Sequence, residues 1–306
     1  TARGFLLRDI SQCFIIHRRP VFHCRHKVGI ALILHVYQRH GAAFPFLVVL
    51  GLGQYDHVAV IADGLEIPHG NRISNAAIQQ LAALDLDGTL LNSNGEVSPC
   101  TQKVLSEASD RGVVVIPATG RPLASLPPVV AKQPWVRYAL TSNGAAVWDL
   151  GNDPLGCVYS RYANAAEHET SQPECIVRRC FPVEKAREVY EAFHGLPGGL
   201  NIFSDGRALR DTAQQRFFDE RFARLAAVKG TEAIQPNDGR FTILREQSEW
   251  MSRHAHAVEK FCMFFHSAEE ARQYLPRFTA IRGVEVVQGS PDNIEVTAAG
   301  VNKGES

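Results

Sequence analysis

No apolar run in this chain approaches the roughly 18 residues that a membrane-spanning helix needs; the longest cover residues 28–36 and 44–53. The opening residues carry Arg3 and Arg8, but the apolar residues 5–7 are too few for the core of a secretory signal, and no small-residue cleavage site follows. Secretion and membrane insertion are therefore not expected, and a cytoplasmic location is. An excess of charge of either sign is also missing. The 32 basic and 32 acidic residues cancel, so the balance asks for neither nucleic acid nor a membrane surface as partner, and any charged substrate must be recognised locally. Paired cysteine spacing is missing too. The seven cysteines (Cys13, Cys24, Cys100, Cys157, Cys175, Cys180, Cys262) are scattered without C-x-x-C spacing, which suits free thiols in a reducing compartment and speaks against a disulfide framework. Neither internal repeats nor low-complexity tracts occur. What is present is 306 residues with 45% hydrophobic content, enough for about two domains with real cores.

The first 79 residues differ from the rest. They begin at Thr1, hold seven of the twelve histidines, and sustain neither helical nor strand periodicity. His17, His23, Cys24 and His26 invite a metal reading, but His-Cys-x-His lacks the paired spacing of a zinc finger. The segment is expected to be an atypical, poorly structured extension foreign to the domain that follows, and no function is assigned to it.

From Leu81 the pattern changes. A strand over residues 81–86 runs into Asp85-Leu86-Asp87-Gly88-Thr89-Leu90-Leu91. Ser98 and Pro99 supply an N-cap and a first-turn proline for a helix that reaches about residue 110 and stops at Gly112. Strands follow over residues 113–117 and 138–141, leading into Ala118-Thr119-Gly120-Arg121-Pro122 and Ser142-Asn143-Gly144-Ala145. This alternation predicts an α/β fold with a doubly wound parallel sheet. After about residue 175 the order becomes mixed: a strand over 176–181, a helix over 183–194, a hairpin over 200–211 turning at Asp205-Gly206, and a helix over 212–228. A strand over 261–265, a helix over 267–275 and a strand over 283–288 come next. That order suits an inserted α+β cap. A strand over 293–297 is expected to return to the main sheet and to deliver Val301-Asn302-Lys303-Gly304. The predicted organisation is 1–79 extension, 80–174 core, 175–289 cap, 290–306 return to the core.

Asp85 and Asp87 stand two apart at the C-terminal end of a strand, so both carboxylates face one side, toward the crevice where doubly wound sheets bind ligands. One carboxylate can attack phosphorus to give an aspartyl phosphate. The other can protonate the departing alkoxide and later deprotonate the hydrolytic water. Two anions facing a phosphate need a cation, and Mg²⁺ suits a few carboxylate oxygens, water and the substrate's own phosphate. Gly88 permits the tight turn and Thr89 is expected to hold the loop by a hydrogen bond.

The run Asp-Leu-Asp-Gly-Thr-Leu-Leu after an apolar strand resembles motif I of the haloacid dehalogenase superfamily phosphatases. Ala118-Thr119-Gly120-Arg121-Pro122 resembles motif II, and Gly300-Val301-Asn302-Lys303-Gly304 resembles motif III. The resemblance implies Asp85 as nucleophile, Asp87 as acid and base, and Mg²⁺ on these two aspartates. It implies Thr119 as the hydroxyl that binds the phosphoryl group, and Lys303 as the cation that neutralises charge on Asp85 and the phosphoryl oxygens. Thr141-Ser142-Asn143-Gly144-Ala145 is similar to a segment of the Cof-type, sugar-phosphatase branch that lies near the substrate phosphate, which makes Asn143, Gly144 and Arg121 substrate-binding candidates.

Asp85 and Thr119 are 34 residues apart, whereas 184 separate Thr119 from Lys303. The cap must therefore follow the third strand, as in Cof-like phosphatases with a type-2 cap, and unlike the β-phosphoglucomutase branch. Relatives also carry Gly-Asp-x-x-Asn-Asp beyond the lysine, whereas this sequence ends three residues after Lys303. A truncated chain is expected, with the Asp85 strand at an exposed sheet edge and catalysis weakened. The resulting expectation is a Mg²⁺-dependent phosphohydrolase acting on small phosphorylated metabolites such as sugar phosphates. The alternative is a catalytically incomplete fragment that binds a phospho-ligand without turnover.

Overall fold

A computed structural model describes residues 80–160, 173–229 and 241–304, together with five strand segments between residues 31 and 63. The zinc reading set aside on His17, His23, Cys24 and His26 lies outside the described residues. Two compact units are distinguished: residues 1–117 with 133–135, and residues 118–132 with 136–306.

In the first unit, β1 (Ala31–His35), β2 (Gln38–Arg39), β3 (Ala42–Ala43), β4 (Leu47–Gly51) and β5 (Ala59–Asp63) precede β6 (Gln80–Asp85). β1 pairs antiparallel with β4, and β2 with β3. β5 runs antiparallel to β6, with Ala59 opposite Leu84 and Asp63 opposite Gln80. These strands correct the expectation that residues before 80 lack strand structure. Their apolar stretches are continuous rather than alternating, and such runs do not declare a period. β6 lies between β5 and β7 (Val114–Ala118) in the sheet order, so the expected exposed edge at the Asp85 strand is also corrected: β5 supplies its ladder partner.

Helix α1 (Pro99–Asp110) starts as its sequence dictates, with Ser98 Oγ accepting from Thr101 N at 3.1 Å and Pro99 in the first turn. It ends before Gly112, whose φ of +88° suits a residue without Cβ. Cys100 in its first turn is disulfide-bonded, whereas Cys157, Cys175, Cys180 and Cys262 are free. The expectation of free thiols therefore fails at Cys100.

The second unit begins where Ala118 of β7 pairs in parallel with Leu140 of β8 (Tyr138–Thr141). Pro122, Pro127 and Pro128 limit the connection to a 3₁₀ turn over Leu123–Ser125 and a four-residue α2 (Pro128–Ala131). β9 (Ala146–Asp149) runs antiparallel to β8, and β10 (Glu174–Arg178) antiparallel to β9, with α3 (Pro154–Ser160) between them. The strand expected to open the cap near residue 176 is therefore an antiparallel neighbour of β9.

A second six-stranded sheet is built from β11 (Gly199–Ser204), β12 (Arg207–Asp211), β13 (Phe241–Leu244), β14 (Lys260–Phe264), β15 (Val284–Val287) and β16 (Asn293–Ala298), in the order β13-β12-β11-β14-β16-β15. β11 and β12 form the expected hairpin, turning through Asp205 and Gly206, both with positive φ. β16 pairs antiparallel with β14 and β15, which corrects the expectation that this strand returns to the main sheet. The burial pattern gives the reason: all six residues of β16 are buried, and Phe261 opposite Val296 places an apolar pair at the middle of this sheet.

Helices α4 (Val183–Phe193), α5 (Thr212–Lys229), α6 (Gln247–His254) and α7 (Ala268–Thr279) belong to the same unit. Ala186, Val189, Tyr190 and Phe193 are the buried stripe of α4, at helical spacing. They join Phe261, Met263, Phe265, Phe278, Ile294 and Val296 in one core. No helix among the described residues is long and apolar enough to cross a membrane.

Candidate active site

The aspartate loop belongs to the first unit. Asp85 ends β6, half-buried, and Asp87 follows it, exposed, while Leu84 and Leu86 are buried. Buried leucines thus alternate with the two aspartates in sequence, and Asp87 lies beyond the end of the strand. Beyond Asp85 the backbone closes a compact turn, with Leu90 N donating to Asp85 O at 3.1 Å and Leu91 N to Leu86 O at 2.9 Å. Gly88 takes the positive φ, +80°, that the turn requires. Thr89 does not tie the loop as expected: its Oγ1 is buried and has no hydrogen-bond partner among the described residues. Two hard carboxylate donors beside an unsatisfied buried hydroxyl fit a Mg²⁺ ion, which takes one or two carboxylates and fills its remaining positions with water and phosphate oxygens.

The other predicted residues belong to the second unit, and the structure brings most of them together. Thr119 lies directly after β7 and is 1% exposed. Its N–H donates to Leu140 O at 2.8 Å and its Oγ1 accepts from Arg121 N at 3.1 Å. The turn after β8 is laced to it: Asn143 N donates to Thr119 O at 3.1 Å, and Ser142 N to Arg121 O at 2.9 Å. Ser142, Asn143 and Gly144 hold φ of +54°, +59° and +102° in succession. Two consecutive non-glycine residues in the left-handed region cost free energy and persist only where their surroundings over-determine them. Lys303 is half-buried on the turn after β16, where Thr297 Oγ1 donates to Val301 O at 2.8 Å.

A buried charged cluster, not anticipated from the sequence, sits against these turns. Lys260, the first residue of β14, is 1% exposed, and its Nζ donates to Gly120 O at 2.5 Å and to Glu295 Oε2 at 2.8 Å. Glu295 Oε2 also accepts from Asn143 Nδ2 at 2.6 Å, and its Oε1 from Asn293 Nδ2 at 3.0 Å. The neighbouring Glu259 is wholly buried and accepts from Ser142 Oγ at 3.0 Å. A signature was present in the sequence: charged residues inside or adjoining apolar strands are rarely buried unless paired.

The two carboxyls respond oppositely to their surroundings. Burial pushes Glu295 up, but the Lys260 ammonium and hydrogen bonds from Lys260, Asn143 and Asn293 outweigh it and hold the group below the usual range. Burial also pushes Glu259 up, and there Arg178, Ser142 and Gly206 do not reverse it. Glu295 therefore stabilises the fold above its ordinary pKa, and that contribution is lost as pH falls through its lowered folded value. The contribution of Glu259 is full below its ordinary pKa and is lost as pH rises through its raised folded value. Glu295→Gln is thus expected to melt well below the wild type near neutral pH, with the gap closing in acid, and Glu259→Gln to gain on the wild type as pH rises. Thermal melts from about pH 3 to about pH 8 read both slopes; a Glu295→Gln gap that stays constant in acid would contradict the assignment.

A family model of haloacid dehalogenase-like hydrolases matches residues 82–306. The phosphatase YwpJ of Bacillus subtilis is 24% identical over 232 residues, covering 74% of this chain and 76% of that protein. The 5-amino-6-(5-phospho-D-ribitylamino)uracil phosphatase YcsE of Bacillus subtilis is 37% identical over 70 residues, 23% of this chain, and that match spans only 28% of its length. A solved haloacid dehalogenase-like hydrolase from B. subtilis superposes with a TM-score of 0.53 at 17% identity, covering 74% of this chain and 75% of that one. The likeness bears out the expected α/β core. With the family match running from β6 through both loops to the Lys303 turn, the chain belongs to the haloacid dehalogenase-like hydrolases.

Proposed function

We propose that this chain hydrolyses small phosphate monoesters through an aspartyl-phosphate intermediate, with Mg²⁺ held by Asp85 and Asp87. The observation that carries the reading is the Asp85-x-Asp87 pair at the end of β6, its two residues alternating with the buried Leu84 and Leu86. In this reading Asp85 attacks phosphorus, and the departing alkoxide takes its proton from Asp87. Asp87, now ionised, then accepts a proton from the water that hydrolyses the acyl phosphate and regenerates Asp85. Thr119 Oγ1 accepts from Arg121 N–H, so its own hydrogen is directed elsewhere and serves a phosphoryl oxygen. Lys303 supplies positive charge to the transferring group, and Arg121, Asn143 and Gly144 shape the phosphate site. Mg²⁺, when bound, would offset the negative charge that an aspartate carboxylate and a phosphate bring together.

The relatives support a small phosphorylated metabolite as substrate. The name of one specifies a phosphate on a ribityl chain carried by an aminouracil, and a sugar phosphate-like monoester is proposed for this chain. The test is release of inorganic phosphate from p-nitrophenyl phosphate and from a panel of sugar and polyol phosphates, with Mg²⁺ and with excess chelator. Release is expected to fall at least about 100-fold on chelation, several kcal/mol of lost charge stabilisation. Turnover indifferent to chelator would overturn the metal assignment. Phosphate binding without release would make the chain a phospho-ligand binder.

A further inference from the structure

We propose that Lys260 and Glu295 are positioning residues for phosphoryl transfer: a buried ion pair between β14 and β16 that holds the Gly120 turn and the Ser142–Asn143 turn in register around Thr119. The proposal rests on the reading of Thr119 as a phosphoryl-binding residue.

Stability alone does not account for the pair. Taking an ammonium and a carboxylate out of water is costly, and well-packed apolar residues in their place are often as stable or more so. What an apolar pair could not provide is directed hydrogen bonds, and here these leave the sheet. The Lys260 ammonium, with the Phe203 ring 4.6 Å away, spends one N–H on Glu295 and one on the Gly120 carbonyl. Glu295 Oε2 spends its second lone pair on the Asn143 side chain. The fit leaves no slack at Gly120, where an added Cβ would come within 2.7 Å of Asn143 Oδ1 and 3.4 Å of both Glu295 Oε2 and Lys260 Nζ. Glu259, one residue before Lys260, takes the Ser142 hydroxyl. Each of the two left-handed non-glycine residues after β8 is thus held by a buried carboxylate, and both turns are anchored to β14 and β16. Those turns in turn hold Thr119 through its backbone carbonyl and its Oγ1. The chain of contacts runs from ion pair to turn to hydroxyl, and no member of the pair needs to touch substrate.

The test compares wild type with Lys260→Met and with the double variant Lys260→Met/Glu295→Leu. Lys260→Met leaves Glu295 buried and unpaired, so it is expected to lower both melting temperature and turnover. The double variant replaces the pair by apolar side chains and is expected to regain the melting temperature while kcat stays roughly 30- to 100-fold below wild type, with KM little changed, as for a misplaced catalytic group. Amide exchange is read in parallel. Residues 119–122 and 142–144 are expected to exchange at least about tenfold faster in the double variant, with β11 and β14 as protected as in wild type. Recovery of turnover together with stability, or unchanged exchange at the two turns, would overturn the proposal and leave the pair a structural element only. If the wild type releases no phosphate from any monoester, the hydrolase reading fails, and the exchange measurement still decides whether the pair holds the turns.

Discussion

Asp85→Asn is expected to abolish phosphate release, lowering kcat by about 10³-fold or more, some 4 kcal/mol of barrier. The size of the effect comes from the chemistry assigned to this carboxylate. An amide has no anionic oxygen to attack phosphorus, so the acyl phosphate does not form, and the remaining residues can only bind and polarise the ester. Asp85 ends β6 half-buried, in a loop closed by backbone bonds from Leu90 and Leu91. The near-isosteric amide leaves those bonds in place, so the fold is expected to survive, which circular dichroism checks. Asp87→Asn should differ in kind: an acyl phosphate still forms, and with an activated leaving group such as p-nitrophenolate the first step is less affected than hydrolysis of the intermediate. Trapping of phosphorylated protein in the Asp87 variant and not in the Asp85 variant would separate the two roles. Unimpaired turnover in Asp85→Asn would remove the nucleophile assignment altogether.

Phe261→Ala carries the largest expected loss of stability, about 3–5 kcal/mol. Phe261 is wholly buried on β14, opposite Ile202 of β11 and Val296 of β16. Its ring lies 5.4 Å from that of Phe181, 6.1 Å from Phe193 and 6.5 Å from Tyr190. Truncation removes contacts on both the sheet and the α4 side, and these rings, held by strand and helix backbones, cannot collapse into the space. Against a net stability of about 5–15 kcal/mol for a folded domain, that is a large share, and a fall in melting temperature of roughly 10 °C is expected. Leu225→Ala is the control: Leu225 is 42% exposed on α5, and its loss should stay within about 0.5 kcal/mol. Urea unfolding followed by circular dichroism measures both. Equal losses at the two positions would show that the core is not centred on β14.

The candidate site was legible to the extent that it is local in sequence. Asp85, Asp87, Thr119, Asn143 and Lys303 each stand at or just beyond the end of a strand, and each such junction has its own residue signature: an acidic pair before glycine, a Thr-Gly turn, a Ser-Asn-Gly turn, a lysine between Asn302 and Gly304. Helix α1 was legible for a similar reason, since Ser98 and Pro99 encode its start without reference to anything distant. By contrast, β9, β13 and α6 went unread. α6 buries only Gln247 and Met251, too few apolar positions to display a period, and β13 is only partly buried, with Ile243 exposed.

The sequence by itself determined the chemistry-bearing loops, their order and the element types around most of them, because these rest on short-range backbone preferences and on strand-end residue patterns. Only the tertiary structure decided which strands share a sheet. β16 belongs beside β14 rather than the core, β10 beside β9, and β5 beside β6, since an apolar strand is compatible with many partners and pairing is selected by the buried neighbours it meets. Only the tertiary structure, too, brought Lys260, Glu295 and Asn143 into one hydrogen-bonded cluster. A lysine and a glutamate 35 residues apart carry no mark of each other in the chain, and their meeting is a consequence of strand register.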